Sequence, residues 1–350
     1  MGVIGDFLAQ TNGPERRKGM INVGSMASGA RIELPYVAVR GAKPGKTLWL
    51  NGQVHGDEIN GMLAALRFMQ GLDPASMSGN VVVTPTANPH ALDSRRKRNP
   101  YDELDLDQCY PGNAKGLISE RVAHALFTEI RGSADMLINL HTMNALFDSK
   151  AYAVYKVHPG SGITEADLLQ AIALFSPNVA CRMDVGGKGE LPGNIAGALD
   201  YQCLAAGIPA FMLELGGGSR YEAHNVALAE AGFAKLVRHL GILAQDSATS
   251  QASGTAGSDV RHVRRVTKRG WLTFENGGLF VPEVEAGATL DTNTVLGKTM
   301  DLHGEFCEEI KLAQDGIIIG LRRDPVVHTG ERAAFVAWEW DNYSLAGQSS

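Results

Sequence analysis

Length, composition and charge are those of an ordinary globular chain. It has 350 residues, of which 44% are hydrophobic and 20% are charged, and its formal net charge is −6. This length allows one large domain or two of moderate size. Because the charges are spread along the chain, we expect neither nucleic acid nor an anionic membrane as a partner.

The first residues and the cysteines predict a cytoplasmic protein. The start lacks the basic and then apolar regions of a secretory signal, and no apolar run approaches the roughly 18 residues of a transmembrane helix. The four cysteines form no CxxC pair and read as reduced thiols: Cys109, Cys181, Cys203 and Cys307.

Residues 1–243 alternate between strand-like and helix-like segments, which predicts an α/β domain with a mostly parallel sheet covered on both faces. The patterns predict, in chain order, a hairpin within 20–40, a strand at 47–54, a helix at 59–71, a strand at 80–85, a helix near 119–131, a strand at 135–140, a helix at 199–206 and a strand at 210–215.

A composition shift divides the chain. Residues 244–258, AQDSATSQASGTAGS, are small and polar and are typical of a linker. Residues 259–345 contain only short strand-like segments separated by Gly, Asn and Asp, which predicts a small all-β domain.

A metal site is predicted at the ends of two strands. In NGQVHGDEING, His55 follows an apolar strand and Glu58 comes three residues later, with Gly56 allowing a sharp turn between them. His141, in ADMLINLHT, has a similar place after another strand. Ligands of open α/β sheets gather at such strand ends, and an imidazole–carboxylate–imidazole set suits one zinc ion per chain.

The remaining groups needed for hydrolysis are also present. Glu214, in AFMLELGGGS, ends a third apolar strand, and we predict that it is the general acid/base for a metal-activated water. The loop SRRKRNP offers four cations that could stabilise an oxyanion: Arg95, Arg96, Lys97 and Arg98.

This set of motifs resembles the succinylglutamate desuccinylase/aspartoacylase family of zinc carboxypeptidase-like enzymes. HGDE, NPHAL, DLDQCYPG, NLHT and LELGG occur in the family's order over roughly residues 45–220. The resemblance implies a carboxypeptidase-like three-layer α/β/α fold, with His55, Glu58 and His141 as zinc ligands and Glu214 as the catalytic carboxylate. It also implies that a basic residue of the SRRKRNP loop polarises the scissile carbonyl, and we predict Arg96 or Arg98. The tail resembles the family's C-terminal barrel-sandwich domain, which is related to biotinyl-carrier modules. Because it lacks the Met-Lys-Met hairpin at which biotin is attached, we predict a structural role, either capping the pocket or forming a homo-oligomer contact.

One departure concerns the substrate. The family commonly has Asp-Leu-Asn-Arg, whose Asn-Arg pair grips a substrate carboxylate, but this chain has Asp107 and Gln108 at the last two positions. Asp107 repels a carboxylate and attracts an ammonium, so we predict an N-acylated amine or amino-acid derivative that is neutral or cationic at this point. Asn88, in the NPHAL motif, completes the predicted substrate-binding set.

The predicted function is therefore a zinc-dependent deacylase acting on a small N-acyl compound. A metallocarboxypeptidase acting on short peptides is the alternative enzyme, and the missing Asn-Arg pair disfavours it. A non-catalytic metal-binding scaffold is the alternative outside the enzymes, and the intact ligand set with Glu214 disfavours that.

Overall fold

The computed structural model describes residues 2–185, 194–244 and 262–345. The helices in these ranges are α1 (Val3–Leu8), α2 (Asn60–Gln70), α3 (Pro89–Ser94), α4 (Ile118–Ser133), α5 (Glu165–Ala173), α6 (Leu199–Ala205) and α7 (Ala223–His239). The strands before the predicted linker are β1 (Glu15–Ser25), β2 (Arg31–Arg40), β3 (Lys43–Gly52), β4 (Ser78–Thr84), β5 (Met136–Met143), β6 (Phe147–Ser149), β7 (Tyr152–Lys156), β8 (Ala180–Met183) and β9 (Ala210–Gly217).

Every element described in residues 262–345 is a strand. They are β10 (His262–Thr273), β11 (Gly278–Pro282), β12 (Thr289–Leu290), β13 (Val295–Met300), β14 (Phe306–Lys311), β15 (Gly316–Arg322), β16 (Val326–Val327) and β17 (Arg332–Ser344). Four of them, in the order β14-β13-β11-β16, form a small separate antiparallel sheet. The others extend the large sheet.

The large sheet has 13 strands, in the order β1-β2-β4-β3-β5-β9-β7-β8-β10-β17-β15-β12, with β6 paired to β15. Its centre, β4-β3-β5-β9, is parallel. The carboxyl ends of β3, β5 and β9 therefore lie at one edge, which is where ligands bind in sheets of this kind.

Alternating residues of the central strands explain the three layers. In β3, Leu48 and Leu50 pack in one apolar cluster with residues of α2 and α7, whereas Trp49 packs in another with residues of α4 and α6. Because successive strand residues point to opposite faces, a strand buried on both faces reads as a continuous apolar run. All eight residues of β5 are buried for this reason.

The C-terminal strands join the rest of the molecule through the sheet and through a shared core. Strand β10 runs parallel to β8, with Arg265 opposite Ala180 and Val266 opposite Cys181. One buried cluster combines residues of β5, β7 and β9 with others of β10, β15 and β17. Packing of this kind fixes the C-terminal strands against the sheet edge that carries the predicted site.

The predicted fold class is confirmed: a mixed α/β fold with a large sheet, parallel at its centre, and a small separate antiparallel sheet. The boundaries 1–243, 244–258 and 259–345 stay a prediction, because the linker lies outside the described residues apart from Ala244. The sequence patterns missed α1, α3, α5 and α7, and β5 continues two residues beyond His141. No helix among the described residues is long and apolar enough to span a membrane. Homo-oligomerisation stays a prediction.

Candidate active site

The three predicted metal ligands come together at the carboxyl ends of β3 and β5. Each offers a ligand atom within 4.8 Å of the others, and all three side chains are buried. Glu58 lies between the histidines: its Oε1 is 2.7 Å from His55 Nδ1, and its Oε2 is 2.9 Å from His141 Nδ1. Two imidazole nitrogens and a carboxylate therefore face one point.

The turn that carries His55 depends on glycine. A Cβ at Gly56 would overlap the backbone of Ala91, and the Gly56 amide donates to the carbonyl of Arg96 at 3.0 Å. The metal-ligand turn is thus attached to the basic loop, so the two predicted parts of the site are held together by the backbone.

Burial and charge shift the pKa values of this cluster. Burial alone would lower the pKa of His55, but the charge of Glu58 and hydrogen bonds to Asp105 and Glu58 raise it to about 10. Burial would raise the pKa of Glu58, but His55 and His141 hold it well below its usual range. Protons and a divalent cation would therefore compete for the same nitrogen atoms.

The residues fit a bound metal ion. Asp105 Oδ1 lies 3.0 Å from His55 Nε2, on the side of the ring away from Glu58. Metal-binding histidines usually donate their second ring N–H to such a carboxylate, which fixes the tautomer and the ring orientation. The donor set is that of catalytic zinc sites with two histidines and one glutamate.

Glu214 stands beside the ligand cluster. It is paired in register with His141 across β5 and β9, so both side chains leave the sheet on the same face. Its Oε2 is buried and has no hydrogen-bond partner among the described residues. Burial raises the pKa of this carboxyl to about 7. Such a pKa suits a group that takes and returns a proton near neutral pH.

The cations of the basic loop differ in whether they line the cavity. Arg98 and Lys97 line the same cavity as the ligand cluster, and Lys97 Nζ lies 3.3 Å from Asp105 Oδ2. Arg96 is directed to Glu103, at 3.3 Å, and is not among the cavity residues. Position therefore favours Arg98 over Arg96, although the catalytic role of either stays a prediction.

Asp107 and Gln108 both line the cavity. Asp107 Oδ1 accepts from Asn139 Nδ2 at 3.3 Å and from the Leu199 amide at 3.4 Å. Gln108 Oε1 accepts from the Asn194 amide at 3.1 Å, and its Nε2 donates to Asp105 at 3.4 Å. Gln108 thus uses its amide within the protein, whereas Asp107 offers a carboxyl group at the cavity surface.

Asn88 holds the backbone rather than facing the cavity. Its Nδ2 donates to the Val54 carbonyl at 3.2 Å, and its Oδ1 accepts from the Ala91 amide at 3.4 Å. The side chain is 2% exposed and is not among the cavity residues. These contacts show that Asn88 caps the start of α3. Its predicted role in substrate binding is untested, and its position outside the cavity does not support it.

The cavity has a volume of about 590 Å³ and two walls. The metal-ligand wall carries His55, Glu58, His141, Glu214 and Asp107. The C-terminal wall comes from β10, β15 and β17 with the turn before β17, and its residues are Arg269, Trp271, Arg322, Gly330, Glu331, Arg332 and Phe335. Of the two structural roles expected for the tail, pocket capping agrees with this arrangement.

Several site residues were not found from the sequence. Asp105 could have been found, because it begins the DLDQ motif and needs only a partner histidine. Tyr152 and Lys156 reach the cavity from β7, which no pattern predicted. The C-terminal wall had no motif at all, because isolated Arg and Trp residues in short strands carry no distinguishing spacing.

The comparisons with known proteins agree with this geometry. The succinylglutamate desuccinylase/aspartoacylase catalytic domain matches residues 44–240, which is more than half of the chain. The chain belongs to the succinylglutamate desuccinylase/aspartoacylase family. A curated relative in this family, N-alpha-acetyl-L-2,4-diaminobutyric acid deacetylase of Halomonas elongata, is 21% identical over 87% of this chain and 86% of its own length.

Solved structures of the family share the fold over nearly the whole chain. A succinylglutamate desuccinylase/aspartoacylase from Rhodobacter sphaeroides has a TM-score of 0.79 and 23% identity, covering 96% of this chain and 98% of that one. The product-bound ectoine utilization protein EutE (DoeB) from Ruegeria pomeroyi has a TM-score of 0.77 and 20% identity, covering 94% and 96%. Both coverages include the C-terminal strands, so the family fold extends beyond the catalytic domain.

Proposed function

We propose that this protein is a zinc-dependent deacylase that hydrolyses the amide bond of a small N-acylated amine or amino-acid derivative. The observation that carries the proposal is the convergence of His55, Glu58 and His141 beside Glu214 in one cavity. The name of the Halomonas elongata relative supports removal of an acyl group from nitrogen.

Each residue has a role that follows from its position. His55, Glu58 and His141 would hold the zinc ion, and Asp105 fixes the ring of His55. The ion would supply Lewis-acid chemistry at the scissile carbonyl. Glu214 takes a proton from the attacking water and returns it to the leaving nitrogen. Arg98, at the cavity surface, offers positive charge to the oxygen on which negative charge develops.

Asp107 directs the choice of substrate. Burial raises the pKa of this carboxyl, because its charge is poorly solvated. A cation beside it would restore that solvation, whereas a second carboxylate would repel it. We therefore expect substrates with an ammonium, or with a neutral group, at this position, and N-acetyl-L-2,4-diaminobutyrate is the first candidate because the relative's name includes it.

The test combines metal analysis with three matched substrates. Protein purified without chelators should contain about one zinc ion per chain. It should hydrolyse N-acetyl-L-2,4-diaminobutyrate with a higher kcat/KM than N-acetyl-L-norvaline, which replaces the ammonium with methyl, and N-acetyl-L-aspartate should be the poorest. Asp107→Asn should reduce the preference for the ammonium over the methyl compound by about tenfold, the size of one lost charge-assisted contact.

Glu103→Gln is the matched control, because it removes an exposed carboxylate that lies outside the cavity. It should leave the preference unchanged. Two results would reject the proposed zinc-dependent deacylase. One is protein that contains no zinc, and the other is no hydrolysis of any compound in a panel of N-acetyl, N-formyl and N-succinyl amines and short peptides. A preference for N-acetyl-L-aspartate that Asp107→Asn does not alter would reject the role of Asp107.

A further inference from the structure

The C-terminal wall places arginines over a cluster of aromatic rings. Arg269 Cζ lies 5.8 Å from the centroid of Phe335 and Arg322 Cζ lies 5.9 Å from that of Phe147, so Arg332 makes the shortest of these contacts. The Trp271 and Phe335 rings are stacked with centroids 4.5 Å apart, and Phe147 meets Trp271 edge-on at 5.3 Å. Arg332 Cζ lies 4.5 Å from the centroid of Trp271. A guanidinium over an aromatic face is held by cation–π attraction, and its planar set of N–H donors suits a carboxylate.

Most other cations of the cavity already have a protein partner. Lys156 Nζ is 2.8 Å from both carboxylate oxygens of Asp200, in a buried ion pair. Arg322 lies 3.2 Å from Glu331 and also donates to the carbonyls of Asp324 and Val326. Glu331 is thereby paired, so its charge does not cancel that of its neighbour Arg332.

Arg332 has no such partner among residues 2–185, 194–244 and 262–345. Its side chain makes no hydrogen bond or ion pair there, and its contact is the ring of Trp271. Arg98 is likewise without an ion pair in the described part of the chain, but it stands in the loop attached to the metal-ligand turn. Arg332 is therefore the cation of the C-terminal wall that remains available to a ligand.

We propose that Arg332, held on Trp271, binds the carboxylate of a zwitterionic substrate whose ammonium faces Asp107. Gln108 cannot take this role, because its amide is neutral and already bonded to Asn194 and Asp105. Groups of opposite charge in one cavity select an N-acylated diamino acid, which has one free ammonium and one carboxylate. This inference rests on the proposed deacylase and adds the substrate class and the residue that recognises it.

The experiment compares N-acetyl-L-2,4-diaminobutyrate with N-acetyl-1,3-diaminopropane, which is the same molecule without its carboxylate. Arg332→Gln should lower kcat/KM for the acid by about 10- to 100-fold, as expected for a lost charge-assisted contact. For the diamine derivative, kcat/KM should stay within about threefold of the wild-type value. Arg332→Lys keeps the charge but loses the bidentate geometry, so it should fall between wild type and Arg332→Gln. Most of the loss should appear in KM.

Arg264→Gln is the control. Arg264 lies on β10 outside the cavity, and its substitution removes the same charge as Arg332→Gln. It should leave both substrates unchanged. An equal loss on the two substrates for Arg332→Gln, or no loss, would overturn the proposal. If wild type hydrolyses neither compound, the wider panel of acylated amines decides the proposed deacylase, and calorimetric binding of L-2,4-diaminobutyrate and 1,3-diaminopropane decides the role of Arg332. No binding, or a carboxylate preference that Arg332→Gln leaves intact, would overturn that role.

Discussion

The metal-ligand wall and the C-terminal wall of the cavity differ in the kind of side chain that each presents. The first concentrates titratable groups at the ends of parallel strands, where His141 Nε2 and Glu214 Oε2 are buried without a hydrogen-bond partner among the described residues. The second presents stacked aromatic rings and arginines on antiparallel strands. Under the proposed function, bond cleavage belongs to the first wall and recognition of the substrate carboxylate belongs to the second.

The difference has an energetic side. Buried polar atoms without partners reduce folding stability, and they are common where a site is built to act on a ligand. Stacked rings such as Trp271 and Phe335 stabilise the fold while they shape the cavity. Substitutions on the first wall should therefore separate activity from stability, whereas aromatic substitutions on the second should change both together.

The largest expected effect is the loss of turnover in Glu214→Gln. The amide has nearly the same shape but cannot accept the proton of the attacking water, so kcat should fall by about 10²- to 10⁴-fold. Metal content should be unchanged. The control is Glu230→Gln on α7, which neutralises a carboxylate outside the cavity. If kcat of Glu214→Gln stayed within threefold of the wild-type value, the assignment of bond cleavage to the metal-ligand wall would be wrong.

The next effect concerns metal affinity and compares one residue from each wall region. Asp105→Asn should weaken zinc binding by about 10- to 100-fold, because the ring of His55 loses the carboxylate that orients it. Arg332→Gln should leave zinc affinity unchanged. Competition with a chelating dye measures the zinc affinity of both variants. Equal weakening by the two substitutions would show that the C-terminal wall helps to build the metal site.

The smallest effect is on the stability of the metal-free protein. Burial raises the pKa of Glu214 from its usual 4.5 to about 7, so the folded state holds this proton more tightly than the unfolded chain. The folded protein is therefore penalised as pH rises from 4.5, and the penalty is complete above about pH 7. Glu214→Gln removes it and should raise the free energy of unfolding by about 1–3 kcal/mol at pH 8, and by about a quarter of that at pH 5.

Urea unfolding after treatment with a chelator measures this gain, with Glu230→Gln as the reference. A gain that is the same at both pH values would point to packing instead of ionisation. A variant that is less stable than wild type at pH 8 would contradict the claim that burial of this carboxylate costs stability.

The sequence predicted the metal-ligand wall well because that wall depends on strand ends. Buried parallel strands read as apolar runs, and the polar residue that ends each run is visible, as with His55 and Glu214. The antiparallel neighbours of that sheet were harder to predict. Strand β7 is short and its preceding strand, β6, pairs with β15 far along the chain. Such pairings depend on tertiary contacts that local patterns do not record.

The C-terminal wall was not predictable at the level of residues. Arg332 and Trp271 are 61 positions apart in the numbered sequence and meet because β10 and β17 pair antiparallel, with Thr273 opposite Arg332. Asn88 shows the converse problem. Its motif suggested substrate binding, but its side chain forms hydrogen bonds to the backbone at the start of α3. A motif marks a segment that matters to the fold or the site and does not say which.

Because the C-terminal wall lies on strands separate from the predicted metal ligands, its side chains can be replaced without changing those ligands. Replacing side chains on β10, β15 and β17 changes the shape and charge that a molecule meets on entry, while His55, Glu58 and His141 stay in place. New substrate preferences are therefore accessible by single steps that keep the hydrolytic groups intact. Laboratory evolution of altered acyl-amine selectivity would best begin with libraries at Arg332 and its neighbours.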